Sequence, residues 1–142
     1  MWRKKSTIYC CEGGAPLYSE RMSSLAIVDS SLLARNLYQV LLKPKGYSCY
    51  SFQNFDLLKT FFIKKSIAVE GIVISANAFR EEADDQFFHY FRSDPFLKNL
   101  PKLFLFRHGE KKRKLKFQYL EKAFVLERPC HPTEIYEVIG QW

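Results

Sequence analysis

The chain has 142 residues, 47% hydrophobic and 16% aromatic, and a formal net charge of +7. That length suits one domain, and the apolar content is enough for a core, which excludes a chain disordered throughout. Its longest apolar runs, about five residues, fall far short of the ~20 that a membrane helix needs, and MWRKKST has no apolar stretch behind it to act as a secretory signal.

Residues 1–24 read as a loosely ordered N-terminal extension with at most one short docked segment. They hold Gly13-Gly14, Ala15-Pro16 and scattered serines, without sustained periodicity. Residues 25–142 read as the domain. Leu25-Ala26-Ile27-Val28 is a short apolar run that suits a strand buried on both faces, and Asp29-Ser30-Ser31 after it is a helix-capping cluster. Leu33, Leu37 and Leu41, with Val40, predict the inward face of a first helix that stops near Lys43-Pro44-Lys45-Gly46. Tyr47 to Phe52 predicts a second strand. Asn54 then caps a second helix with Leu58, Phe61 and Phe62 inward, and Gly71 to Ser75 is a third strand.

Glu81 to Arg92 predicts a third helix with Phe87, Phe88 and Phe91 inward and His89 on the surface, and Pro101 to Phe106 a fourth strand. Lys111 to Lys122 predicts a fourth helix carried by Leu115, Tyr119 and Leu120, and Ala123 to Leu126 a fifth strand. Pro132 opens a final helix with Ile135, Val138 and Ile139 inward. Strands alternating with helices over short connections imply right-handed crossovers and a parallel sheet covered on both faces. Such sheets place functional groups at the carboxyl ends of their strands, here Asp29, Ser30, Ser75, Phe106 and Arg128.

The order of these pieces resembles the receiver domain of two-component response regulators. The shared text is Leu25 to Ser31 followed by Arg35; Lys45-Gly46-Tyr47; Arg92-Ser93-Asp94-Pro95 with Asn99-Leu100-Pro101; and Arg128-Pro129 followed by Pro132-Thr133-Glu134. The resemblance runs from Leu25 to about Ile139 and implies a flavodoxin-like three-layer (βα)5 sandwich with strand order 2-1-3-4-5. It also implies a phosphorylation pocket, and here the chain departs from the pattern. The magnesium-binding acidic pair falls on Asp29 and Ser30, so one carboxylate remains. The phosphoacceptor aspartate falls on Ser75, the switch hydroxyl on Phe106 and the phosphoryl-binding lysine on Arg128, with Pro129 retained and its preceding bond expected to be cis.

A serine without an adjacent base is a weak nucleophile at neutral pH, and magnesium needs carboxylates that this pocket lacks. The bulk of Phe106 is expected to fill space that the phosphoryl group would need. The pocket reads as a degenerate, phosphorylation-independent one without metal or cofactor. In it Asp29 and Arg128 either pair, directly or through water, or both reach solvent; pairing is the expectation, since a guanidinium fork suits a carboxylate.

From Arg107 to Lys122 seven basic residues (107, 111, 112, 113, 114, 116 and 122) face Glu110 and Glu121, a local net of +5. Basic charge at a helix start is not favoured by the helix dipole, so stability does not explain the cluster. In the resembling family the face of the fourth helix, fifth strand and fifth helix binds partners or dimerises. Lys111, Lys112, Arg113, Lys114, Lys116, Tyr119 and Tyr136 are the expected contacts, with Trp142 beside them. The expected function is a non-enzymatic signalling module of the bacterial cytoplasm with a protein partner or a second copy, and without membrane or small-molecule ligand. The alternative is weak electrostatic binding of nucleic acid or another polyanion. A flavin-binding enzyme is excluded because Asp29 to Leu33 has no glycine to cradle phosphate. Cys10, Cys11, Cys49 and Cys130 lack zinc-site spacing and read as free thiols.

Overall fold

The computed structural model describes residues 23–65 and 68–142, without the side chains of 62–65. The expected extension, apart from its last two residues, therefore lies outside the described residues. Those two, Ser23 and Ser24, belong to the first strand.

Five parallel strands form one sheet in the order β2-β1-β3-β4-β5. They are β1 (Ser23–Val28), β2 (Tyr47–Phe52), β3 (Gly71–Ser75), β4 (Lys102–Arg107) and β5 (Ala123–Arg128). The helices are α1 (Leu32–Leu42), α2 (Phe55–Lys65), α3 (Asp84–Ser93), α4 (Pro95–Asn99), α5 (Lys111–Phe117) and α6 (Pro132–Ile139). Alternate residues of the central strands feed two cores. Ala26, Val28, Ile72, Ile74, Phe104 and Phe106 face α2 to α5, whereas Leu25, Ile27, Val73, Leu103 and Leu105 face α1 and α6. This is why β1, β3 and β4 read as continuous apolar runs. The α2–α5 core is strongly aromatic: Phe91 meets Phe104 edge-on at 5.5 Å, and Phe117 lies 5.0 Å from Phe104.

Three elements differ from the sequence reading. In α1 the inward ridge is Ala34, Tyr38 and Leu42, not Leu33, Leu37 and Leu41 with Val40; Leu33, Leu37 and Val40 are exposed and Leu41 is half-buried. Both ridges have four-residue spacing. The choice between them follows from anchors: the Tyr38 hydroxyl meets Arg128, and Leu41 O accepts from the Tyr136 hydroxyl at 2.8 Å. The fourth expected helix, here α5, ends at Phe117 rather than Lys122, and it buries Phe117 and Leu120 while Leu115 and Tyr119 are exposed. Its early end frees the next turn, with Lys122 at φ 55°, to meet β4. Glu121 O accepts from Lys102 Nζ at 2.8 Å, and Lys122 O from Lys102 N at 3.0 Å. The third difference is α4, which begins on Pro95 behind an Asp94 cap that accepts from Phe96 N and Leu97 N.

Candidate functional site

The carboxyl ends of β1, β3 and β5 bring Asp29, Ser75 and Arg128 together, as their places after Val28, Ile74 and Glu127 require. Asp29 is fully buried, and its two oxygens are divided between donors. Oδ1 accepts from Ser31 N at 2.9 Å and from Asn77 Nδ2 at 3.0 Å; Oδ2 accepts from Arg128 Nη2 at 2.7 Å. The expected Asp29–Arg128 pair is thus direct and runs through one guanidinium nitrogen. That nitrogen also donates to the Tyr38 hydroxyl at 3.0 Å. Burial works against the Arg128 charge, but Tyr38 and Asp29 outweigh it and hold its pKa above the ordinary value. Burial raises the Tyr38 pKa despite the opposing Arg128 charge. The Arg128-Pro129 bond is cis.

Around this centre Arg35 Nη1 donates to Asp29 O at 2.6 Å, and Ser30 N donates to Asn77 Oδ1 at 3.1 Å. The Ser30 residue itself is exposed. Ser75 is buried, and its hydroxyl accepts a long 3.5 Å bond from Asn77 N at the start of its own turn. No imidazole or second carboxylate bonds it among the described contacts, so it lacks the base that nucleophilic attack requires. A divalent cation does not fit. The lone pairs of Asp29 already face N–H donors, a guanidinium stands at 2.7 Å, and the described residues hold no cluster of three or more His, Cys, Asp or Glu side chains able to ligate a metal.

Phe106 departs from its expected place. A cleft of about 640 Å³ opens beside Ser75 and Arg128, and its walls include Asn77, Arg80, Arg107 and Arg113 but not Phe106. The Phe106 ring packs inward against Phe104 and Phe117, because that aromatic core offers it more than the charged cleft does. Above it lies Arg113, with its guanidinium carbon 5.6 Å from the Phe106 centroid and 5.0 Å from that of Phe79.

Arg113 is only 7% exposed, so it is no part of a surface cluster, which corrects the sequence reading. It donates to Asp84 through Nε and Nη2, both at 2.9 Å, and to Glu110 at 3.0 Å. Burial opposes its charge, and Asp84 with Glu110 more than compensates, so its pKa rises. Glu110 sits lower than usual although burial pulls it up, because the Arg107 N–H and Arg113 hold it ionised. Lys114 pairs with Glu127 at 3.1 Å, and Lys116 pairs with Asp85. Of the five basic residues expected at the interface, Lys111 and Lys112 are exposed, whereas Arg113, Lys114 and Lys116 are engaged by acids. Tyr119 stands out at 77% exposure, whereas Tyr136 is turned toward α1 and carries Lys45 4.9 Å above its ring. Trp142 packs over Gly71, where an added Cβ would overlap its ring, so it is no anchor on the α5 side.

Sequence reasoning missed Asn77, Tyr38 and the Asp84–Arg113–Glu110 cluster. For the last, the acid at the start of α3 and the base on α5 were visible, but not that they converge.

No family model and no curated protein matches the chain. Solved structures do. A receiver domain of a signal transduction histidine kinase from Syntrophus aciditrophicus superposes with a TM-score of 0.71 at 12% identity, covering 84% of this chain and 88% of that one. The chemotaxis response regulator CheY4 of Vibrio cholerae gives 0.69 at 17% identity over 84% and 98% of the two chains. A response regulator receiver domain protein from Clostridium thermocellum gives 0.68 at 12% identity over 84% and 93%.

The chain has the receiver-domain fold. Identities this low speak for the fold alone. Among the described residues no helix is long and apolar enough to cross a membrane.

Proposed function

We propose that this receiver-fold chain is a phosphorylation-independent signalling module that binds a protein partner or a second copy through the surface of α5, β5 and α6. The observation that carries this reading is the internal pairing of Asp29, the one carboxylate of the pocket. Arg128 neutralises Asp29 directly, and Arg113 ties α5 to α3 across Phe106, so the pocket offers neither a free carboxylate to accept a phosphoryl group nor a second acid to hold a metal that would bias the distant face. A face held in one arrangement suits constitutive docking rather than switching.

On that face Leu115 and Tyr119 are 54% and 77% exposed, next to Lys111 and Lys112. An aromatic and an aliphatic anchor rimmed by lysines fit a protein surface with acidic edges. Internal pairing of Arg113, Lys114 and Lys116 leaves little free charge for a polyanion, which weighs against the nucleic-acid reading. A bacterial cytoplasmic setting is part of the proposal.

Tyr119→Ala with Leu115→Glu tests it by sedimentation and by capture of partner from the native extract. The wild type should self-associate or retain a discrete protein, and the variant should lose at least about tenfold in affinity, the scale of one hot-spot anchor. Unchanged association, or retention on DNA at low salt that the variant keeps, would refute the proposal.

A further inference from the structure

Two arginines stand side by side at the carboxyl ends of β4 and β5. Arg107 and Arg128 are register partners on parallel strands, so their side chains leave the same face of the sheet from backbones about 4.8 Å apart. Like charges so placed repel unless an acid lies between them. The nearby acids are engaged elsewhere. Asp29 and Tyr38 meet only Nη2 of Arg128, which leaves its Nε and Nη1 without a hydrogen bond among the described residues. Glu110 accepts from Arg107 N and from Arg113. Glu127 leaves the opposite face of the sheet, where Lys114 and His108 hold it. Arg107 is exposed, and among the described residues no acid pairs with its guanidinium.

Both arginines line the cleft of about 640 Å³, a size within the roughly 300–1,000 Å³ of small-molecule sites. The wall supplied by the connection from β3 to α3 carries Arg80, Glu81 and Glu82, all exposed. One positive and two negative charges there repel a second anionic group, so a polyphosphate is disfavoured. A neutral or cationic group meets no such barrier.

We propose that Arg107 and Arg128 hold a small oxyanion, a carboxylate or a phosphate monoester, without covalent attachment. The rest of this ligand is neutral or cationic and lies toward Glu81 and Glu82. The receiver resemblance gives Arg107 no role, and the site needs neither a phosphoacceptor nor a metal. It takes a ligand where the sequence reading expected none, and it is independent of docking through the α5 face.

The test follows the Nε–H signals of Arg107 and Arg128 in the full chain by NMR. Inorganic phosphate or acetate is added at fixed ionic strength, without magnesium, against a chloride control. At least one of the two anions should give saturable shifts at both guanidinia, and the tighter one identifies the head group. Arg107→Gln, a change at an exposed side chain, should weaken that binding at least about tenfold, the scale of a charge-assisted hydrogen bond, while circular dichroism stays that of the folded protein. Glu81→Gln/Glu82→Gln should tighten it. Shifts no larger than those of chloride with both anions, or binding that Arg107→Gln keeps, would overturn the proposal. Unchanged affinity in the glutamate variant would overturn the placement of the ligand's remainder.

Discussion

Asp29 illustrates how one side chain decides what a site can hold. It is fully buried, and its oxygens accept from the Ser31 backbone, Asn77 and Arg128. Removing the guanidinium leaves a buried carboxylate short of a partner, which costs more than the pair itself contributes. Arg128→Met should therefore destabilise the protein by about 2 kcal/mol in urea unfolding, less than a wholly buried pair because the arginine is partly exposed. An Arg128→Met protein as stable as the wild type would show the pair to be incidental. The pair was foreseeable once the receiver resemblance put Asp29 and Arg128 in one pocket, since a guanidinium suits a carboxylate. Asn77 and Tyr38 were not, because their places depend on the turn after β3 and on the rotation of α1.

Lys102 is the other informative residue. Burial pushes its pKa down to about 8, although Glu121 pulls the other way. The unfolded chain binds this proton up to the ordinary 10.5 and the folded protein only to about 8. Between those values the unfolded state carries more protons, so this group makes stability rise with pH, by up to ~1.4 kcal/mol per unit. The destabilisation is fully present below pH 8. Urea titrations from pH 7 to 10 should show a positive contribution that Lys102→Met removes; the same slope in both proteins would exclude it.

At the level of elements, α5 is fastened from within. Arg113 joins it to Asp84 at the start of α3 and to Glu110 at its own cap, with Phe79 and Phe106 beneath the guanidinium. Arg113→Met alone should cost about 3 kcal/mol, since it strands Asp84 in the interior, and Arg113→Met/Asp84→Leu should recover most of it. Chemical denaturation of the two variants measures the difference, and equal losses would mean that the cation–π contacts matter more than the ion pair. The extent of α5 was hard to read from sequence. Leu115 and Tyr119 continue a helical pattern, but the chain turns after Phe117 so that Glu121 and Lys122 can offer carbonyls to Lys102. In α1, two ridges of equal spacing competed, and only contacts remote in sequence separated them. Composition was a better guide in the central strands, whose continuous apolar runs match the burial of β1, β3 and β4.

For the molecule as a whole, the alternation of elements was enough to predict a parallel sheet, and the receiver resemblance its order, β2-β1-β3-β4-β5. The distribution of charge was less legible, because a run of basic residues does not reveal which of them meet acids in the fold. Arg113, Lys114 and Lys116 do, and a net charge of +7 overstates what α5 presents to a partner. The central claim is that Arg128 and Asn77 engage Asp29, so that the strand ends offer no free acid to magnesium and no carboxylate to accept a phosphoryl group. Amide shifts recorded while beryllofluoride and magnesium are added test it most directly. The spectrum should stay unchanged at Asp29, Ser75, Asn77 and across α5. Saturable shifts at Asp29 and Ser75 that spread to α5 would contradict the account.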